Sequence, residues 1–129
     1  MFTCRVYVSM KNVYIVEDDS KNMKLYKAIL GQFPDLKIFE EVEGDLGLEL
    51  IKTGNPDLII LDIRLPKMTG IEICQELRKI EKFKDLPIIA VTAYAMKGDE
   101  ERILEAGFNA YITKPIRVLE FKEKIKQYL

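Results

Sequence analysis

Five side chains are spaced along the chain where a reaction could use them. They are the acid pair Glu17-Asp18, the acid Asp62, the hydroxyl of Thr92 and the ammonium of Lys114. Each ends an apolar, strand-like run or directly follows one. Three carboxylates brought together repel one another unless a cation sits among them. Hard oxygen donors without histidine or cysteine select Mg²⁺, with Mn²⁺ as the alternative, and the chain contains no histidine. Such a metal takes one or two carboxylates and leaves a position for a phosphate oxygen. An ammonium and a hydroxyl on the other side would complete a set suited to the spread negative charge of a phosphoryl group in transfer. The nucleophile in that set would be the Asp62 carboxylate, giving an acyl phosphate.

These residues need elements that bring them to one edge. Leu58–Pro66 reads L-I-I-L-D-I-R-L-P, a continuous apolar run that stops at Asp62. That pattern predicts a strand buried on both faces, as in a parallel sheet. Asn12–Val16 and Ile88–Thr92 predict two more such strands, Leu36–Glu40 and Ala110–Thr113 shorter ones. Between them run helix-period segments. Lys21–Phe33, capped by Asp19 or Ser20, carries Met23, Tyr26, Ile29, Leu30 and Phe33 at helical spacing. Gly44 to Thr53 turns Leu46, Leu50 and Ile51 inward, and Ile71–Ile80 turns in Ile73, Leu77 and Ile80. Pro66–Gly70 is a loop, and Lys79–Lys84 a solvated charged stretch. Asp99 to Ala106 is closed by Gly107, and Val118–Tyr128 is an amphipathic last helix.

Strand and helix alternate five times. The expected fold is therefore α/β: a doubly wound five-stranded parallel sheet of order 2-1-3-4-5, flavodoxin-like, with both faces covered. In that order the first, third, fourth and fifth strands are adjacent, so their C-terminal ends share one pocket. Residues 1–10 read as an extension and 11–129 as one domain.

Bulk properties exclude several classes. A content of 48% hydrophobic and 32% charged residues marks a globular chain rather than a disordered one. The net charge of −1 gives no electrostatic footprint for direct nucleic-acid binding. The absence of histidine removes His-activated nucleophiles and His metal ligands. Cys4 and Cys74 match no metal spacing, no run is long enough for a membrane span, and a cytoplasmic location is expected.

The stretches V-Y-I-V-E-D-D-S, P-D-L-I-I-L-D-I-R-L-P-K-M-T-G, I-I-A-V-T-A and A-Y-I-T-K-P together resemble the receiver domain of two-component response regulators, the CheY-like family. The resemblance runs from Lys11 to Leu129 and extends to single-domain regulators and receivers of hybrid kinases. It implies that Asp62 takes a phosphoryl group from a phosphohistidine on a sensor histidine kinase or phosphotransfer protein. It implies that Glu17, Asp18, Asp62 and the backbone carbonyl of Arg64 hold Mg²⁺, directly or through water. Thr92 and Lys114 would grip the phosphoryl oxygens, and Tyr111 would be the switch aromatic that turns inward as Thr92 moves. The face of the fourth helix, fifth strand and fifth helix would then select a downstream protein target, as a monomer or a phosphorylation-dependent dimer. Such a protein is a signalling receiver, acting only on its own phosphorylation and dephosphorylation, and either stands alone or belongs to a larger regulator or hybrid kinase.

Plainer readings exist for each residue. Glu17-Asp18-Asp19 could be a solvated turn capping a helix, Thr92 a strand-end β-branched residue, Lys114 a surface lysine and Tyr111 a packed core aromatic. Their recurrence at matching strand ends favours the site. Glu17 replaces the more frequent aspartate of the acid pair, so its longer side chain is expected to reach metal through water. Arg64 and Tyr94 flank the site and are expected to shield the phosphoryl group. A haloacid-dehalogenase-like phosphatase would carry a second Asp two residues after the nucleophile, where this chain has Arg64. A flavin carrier would need a Gly-rich phosphate loop where this chain has three acids. A degenerate receiver would lack an acid, Asp62 or Lys114.

Overall fold

The structure is a computed structural model that describes residues 10–93 and 98–129. The expected extension, apart from Met10, and the shielding role of Tyr94 lie outside those residues. Strands β1 (Lys11–Val16), β2 (Leu36–Glu41), β3 (Leu58–Asp62), β4 (Ile88–Thr92) and β5 (Ala110–Thr113) form one sheet of order β2-β1-β3-β4-β5. Every neighbouring pair is parallel. Five α-helices alternate with them: α1 (Ser20–Leu30), α2 (Gly44–Lys52), α3 (Gly70–Arg78), α4 (Asp99–Ala106) and α5 (Val118–Tyr128). The expected fold and strand order are what the structure has.

The two-residue period of a strand sorts the sheet into two cores. On one face Val13, Ile15, Leu58, Ile60, Ile89, Val91 and Ile112 pack against Met23, Tyr26, Ile29 and Leu30 of α1 and Phe121 and Ile125 of α5. On the other, Tyr14, Val16, Ile59, Leu61, Ile88 and Ala90 pack against Ile51 of α2, Ile73, Cys74 and Leu77 of α3, and Ile103 and Ala106 of α4. All five residues of β3 and all five of β4 are buried, which is why their sequences are apolar without alternation.

Four local expectations need correction. Leu46 does not face inward; it is 50% exposed. Helix α2 instead buries Gly44, Gly47 and Ile51, and a Cβ on Gly47 would lie 2.7 Å from Val16 Cγ2, so a bare helix face makes the contact. Helix α1 stops at Leu30, before Phe33, with the Gly31 amide bonded back to the Lys27 carbonyl. Helix α3 starts at Gly70, inside the expected loop, and ends at Arg78, before Ile80. The charged stretch after it is more than a solvated one: Glu81–Phe83 is a short 3₁₀ turn that drives Phe83 into the core at 2% exposure.

Candidate functional site

Register places the site. β1 and β3 are paired through Val16↔Leu61, so Glu17 and Asp62, each one residue on, lie beside each other at the sheet's C-terminal edge. β4 and β5 are paired through Thr92↔Thr113, and the Lys114 amide donates to the Thr92 carbonyl at 2.8 Å. Strand periodicity then gives Glu17, Asp62 and Lys114 the phase of Ile15, Ile60 and Ile112, toward α1 and α5. Thr92 takes the opposite phase, toward α3 and α4.

The resulting cluster is tight. Lys114 Nζ lies 3.0 Å from Asp62 Oδ2 and 3.4 Å from Glu17 Oε1. Glu17 is fully buried and Asp62 is 4% exposed, whereas Asp18 faces solvent. The Arg64 amide donates to Asp62 Oδ1 at 3.2 Å, and the Asp19 amide to Glu17 Oε2 at 3.1 Å. Asp19 itself caps α1, accepting from the amides of Lys21 and Asn22. Burial, reinforced by the adjacent Asp62 carboxylate, pushes the Glu17 carboxyl up to about 7. Burial works against charge on Lys114, but hydrogen bonds and attraction from Asp62 and Glu17 outweigh it and raise its pKa.

One oxygen each from Glu17, Asp18 and Asp62 lies within 4.8 Å of the others. These are hard donors with a solvent-facing side at Asp18, and among the described residues Lys114 is the ammonium in contact with Glu17 and Asp62. The set therefore fits a small divalent cation such as Mg²⁺.

Of the residues singled out in the sequence, Glu17, Asp18, Asp62 and Lys114 converge. Thr92 is 6% exposed and lines an adjoining cleft of about 310 Å³ with Arg64, Ile63 and Ile103. Tyr111 is half-buried and lies farther out, in a surface groove with Leu104, Lys124 and Tyr128 between α4 and α5. Burial and the neighbouring Glu100 carboxylate raise its phenol pKa. The Lys114-Pro115 bond is cis.

Two residues in contact with the site escaped the sequence reading. Gly70 lets the start of α3 rest on the end of β3: its amide donates to the Ile63 carbonyl at 2.9 Å, and a Cβ there would sit 2.3 Å from the Asp62 carbonyl oxygen. The other is Tyr26, read only as part of an apolar helix face, whose hydroxyl donates to Glu17 Oε1 at 2.9 Å. The available signal was its type, since a buried tyrosine usually finds a polar partner where a phenylalanine needs none.

A family model described as the response regulator receiver domain matches residues 13–126. The chain belongs to that family. The receiver is 46% identical over 122 residues to the polar-differentiation response regulator DivK of Brucella ovis, a match covering 92% of this chain and 96% of the relative. Among solved structures it is similar to the receiver domain of a sensor histidine kinase from Pseudomonas aeruginosa PAO1, described with a magnesium ion coordinated in its active-site cleft. The TM-score is 0.83 at 29% identity, covering 93% of this chain and 98% of that one. A CheY-like receiver from Methanospirillum hungatei JF-1 superposes with a TM-score of 0.82 at 33% identity, covering 92% of this chain and 93% of that one. Receivers are signalling proteins rather than conventional enzymes. As a family they accept phosphoryl groups with Mg²⁺ at an acidic pocket and interact with histidine kinases or phosphotransfer proteins and with downstream targets. No helix among the described residues is long and apolar enough to cross a membrane.

Proposed function

We propose that this receiver takes a phosphoryl group onto the Asp62 carboxylate from a phosphohistidine on a sensor kinase or phosphotransfer protein. The observation that carries this is the environment of Asp62: a buried carboxylate at a strand end, held at 3.0 Å by Lys114, with two further acids beside it. An Asp62 oxygen attacks phosphorus, the P–N bond to the donor imidazole breaks, and the nitrogen keeps the electron pair. An acyl phosphate forms on Asp62. In dephosphorylation water attacks phosphorus, the Asp62 carboxylate leaves, and inorganic phosphate departs.

Glu17, Asp18, Asp62 and the Arg64 carbonyl are the residues that would hold Mg²⁺. Bound there, the ion would supply positive charge against the carboxylates and the transferring oxygens. The chain's own groups do the rest. Lys114 is already in contact with Asp62 and places an ammonium at the developing charge. The Arg64 amide fixes one Asp62 oxygen. Thr92 supplies a hydroxyl to a phosphoryl oxygen from the neighbouring strand. The Arg64 side chain, exposed beside the cleft, limits the approach of water.

Movement of Thr92 would be read by Tyr111, one strand over, and so by the surface of α4, β5 and α5. That face carries the Tyr111 groove and would choose the downstream protein partner. The chemistry is tested by intact mass after incubation with acetyl phosphate. One added phosphoryl group, dependent on Mg²⁺ and absent in Asp62→Asn, is the expected result. The same gain in Asp62→Asn would overturn the assignment.

A further inference from the structure

Glu17 is longer by one methylene than an aspartate would be in its place, and a longer carboxylate has more places to go. The structure shows what holds it. Its Oε2 accepts from the Asp19 amide, and its Oε1 accepts from the Tyr26 hydroxyl at 2.9 Å and faces Lys114 Nζ at 3.4 Å. Tyr26 is itself fully buried on α1. Its ring stacks on Phe121 of α5, with centroids 5.4 Å apart and planes inclined by 16°. The stack clamps the ring, so the hydroxyl is a donor at a fixed point rather than one that follows the carboxylate. Glu17 is its hydrogen-bond partner among the described residues.

A structural role for the hydroxyl explains less. Phenylalanine would fill the same space against Phe121, and burying a carboxylate merely to satisfy a phenol costs more than the phenol gains. The economical arrangement is the reverse, with the phenol present for the carboxylate. We infer that Tyr26 is a positioning residue for the metal side of the site, holding Glu17 where an aspartate would need no support and so setting the receiver's Mg²⁺ affinity. This rests on the reading of Glu17 and Asp18 as metal-side carboxylates. Partners that orient a ligand from behind commonly change metal affinity 10–100-fold when removed.

The test is Mg²⁺ titration of the full chain by calorimetry, without phosphoryl donor. Tyr26→Phe keeps the ring on Phe121, and circular dichroism checks its fold. Its Mg²⁺ dissociation constant should rise about tenfold. In a Glu17→Asp background, where the carboxylate no longer reaches the hydroxyl, the same change should alter affinity less than about twofold; a role in packing alone would not depend on residue 17. In the unmutated protein the buried phenolic proton should give a slowly exchanging NMR resonance that shifts when Mg²⁺ is added. Unchanged or tighter binding in Tyr26→Phe, an equal loss in both backgrounds, or a resonance indifferent to Mg²⁺ would overturn the inference. Asp18→Asn separates the two levels. If it binds Mg²⁺ as the wild type does, the metal-site reading fails and this inference with it; if it loses binding while Tyr26→Phe keeps it, only the role of Tyr26 fails.

Discussion

At each end of the sheet one cation gathers a group of oxygens, and the two groups differ in how completely they are matched. At the N-terminal ends of the strands, Arg78 of α3 spreads its guanidinium over neutral acceptors. Nε donates to the Gly107 carbonyl at 2.9 Å, Nη1 to the Phe83 carbonyl at 2.7 Å, and Nη2 to Asn109 Oδ1 at 2.8 Å. Asn109 also accepts from the Ile88 amide at 2.8 Å and so ties the start of β4 into the same knot. Donors and acceptors are paired, and the planar fork suits several carbonyls at once. At the C-terminal ends, Lys114 faces buried Asp62 and Glu17, with Asp18 alongside. Among the described residues three carboxylates crowd together with Lys114 in contact with two of them, and the Glu17 carboxyl is pushed up to about 7. The balanced end closes the fold. The unbalanced end is left able to take up a cation and a phosphoryl group.

The contrast breaks first if Lys114 matters no more than a surface lysine. Lys114→Ala should slow Asp62 phosphorylation by acetyl phosphate by roughly 10–100-fold, the scale of losing a preorganised charge at a reacting oxygen. Stopped reactions read by intact mass give the rate. Arg78→Ala should do the opposite, lowering stability by about 1–2 kcal/mol in urea unfolding through lost hydrogen bonds to part-buried acceptors while leaving the folded protein's phosphorylation rate within about twofold.

A pH series sharpens the same point. The Glu17 carboxyl rises from 4.5 to about 7 on folding, so between those values the folded chain holds a proton that the unfolded chain releases. Stability of the chelated protein should therefore fall as pH rises through that window, by on the order of 1–2 kcal/mol, and Mg²⁺ should restore part of it at the upper end. Thermal melts with and without chelator read this directly, and Glu17→Gln should flatten the slope. The smallest effect belongs to the Arg64 side chain, which lines the cleft beside the site. Arg64→Ala should speed loss of the phosphoryl group about two- to fivefold through freer access of water, measured by the decay of phosphorylated protein after donor removal.

What could be read from the sequence followed from what strands impose. A buried parallel strand shows as an apolar run, and the residue ending it must lie at the sheet edge. The runs that Asp62, Glu17, Asp18, Thr92 and Lys114 end or follow therefore imply their place at one sheet edge, and the alternation of elements implies the strand order. The misplaced parts depend on contacts between distant residues. Leu46 looks inward by spacing, but Gly47 meets Val16, and a glycine adds nothing to a hydrophobic pattern. Phe83 sits among charges in the sequence, and only the 3₁₀ turn aims it at the core. Tyr26 and Glu17 lie on different elements, and their bond depends on the ring stacking on Phe121, far along the chain. Gly70 is unremarkable until α3 is seen resting on the backbone of Asp62.

Whether Asp62 is the phosphoryl acceptor is decided by chemical trapping. Borohydride reduces an aspartyl phosphate to homoserine, which peptide mass spectrometry locates to a single position. After phosphorylation with Mg²⁺ and acetyl phosphate, homoserine should stand at position 62, with the Glu17 and Asp18 carboxylates unmodified. Reduction at either of those residues, or a phosphorylated chain with Asp62 intact, would contradict it.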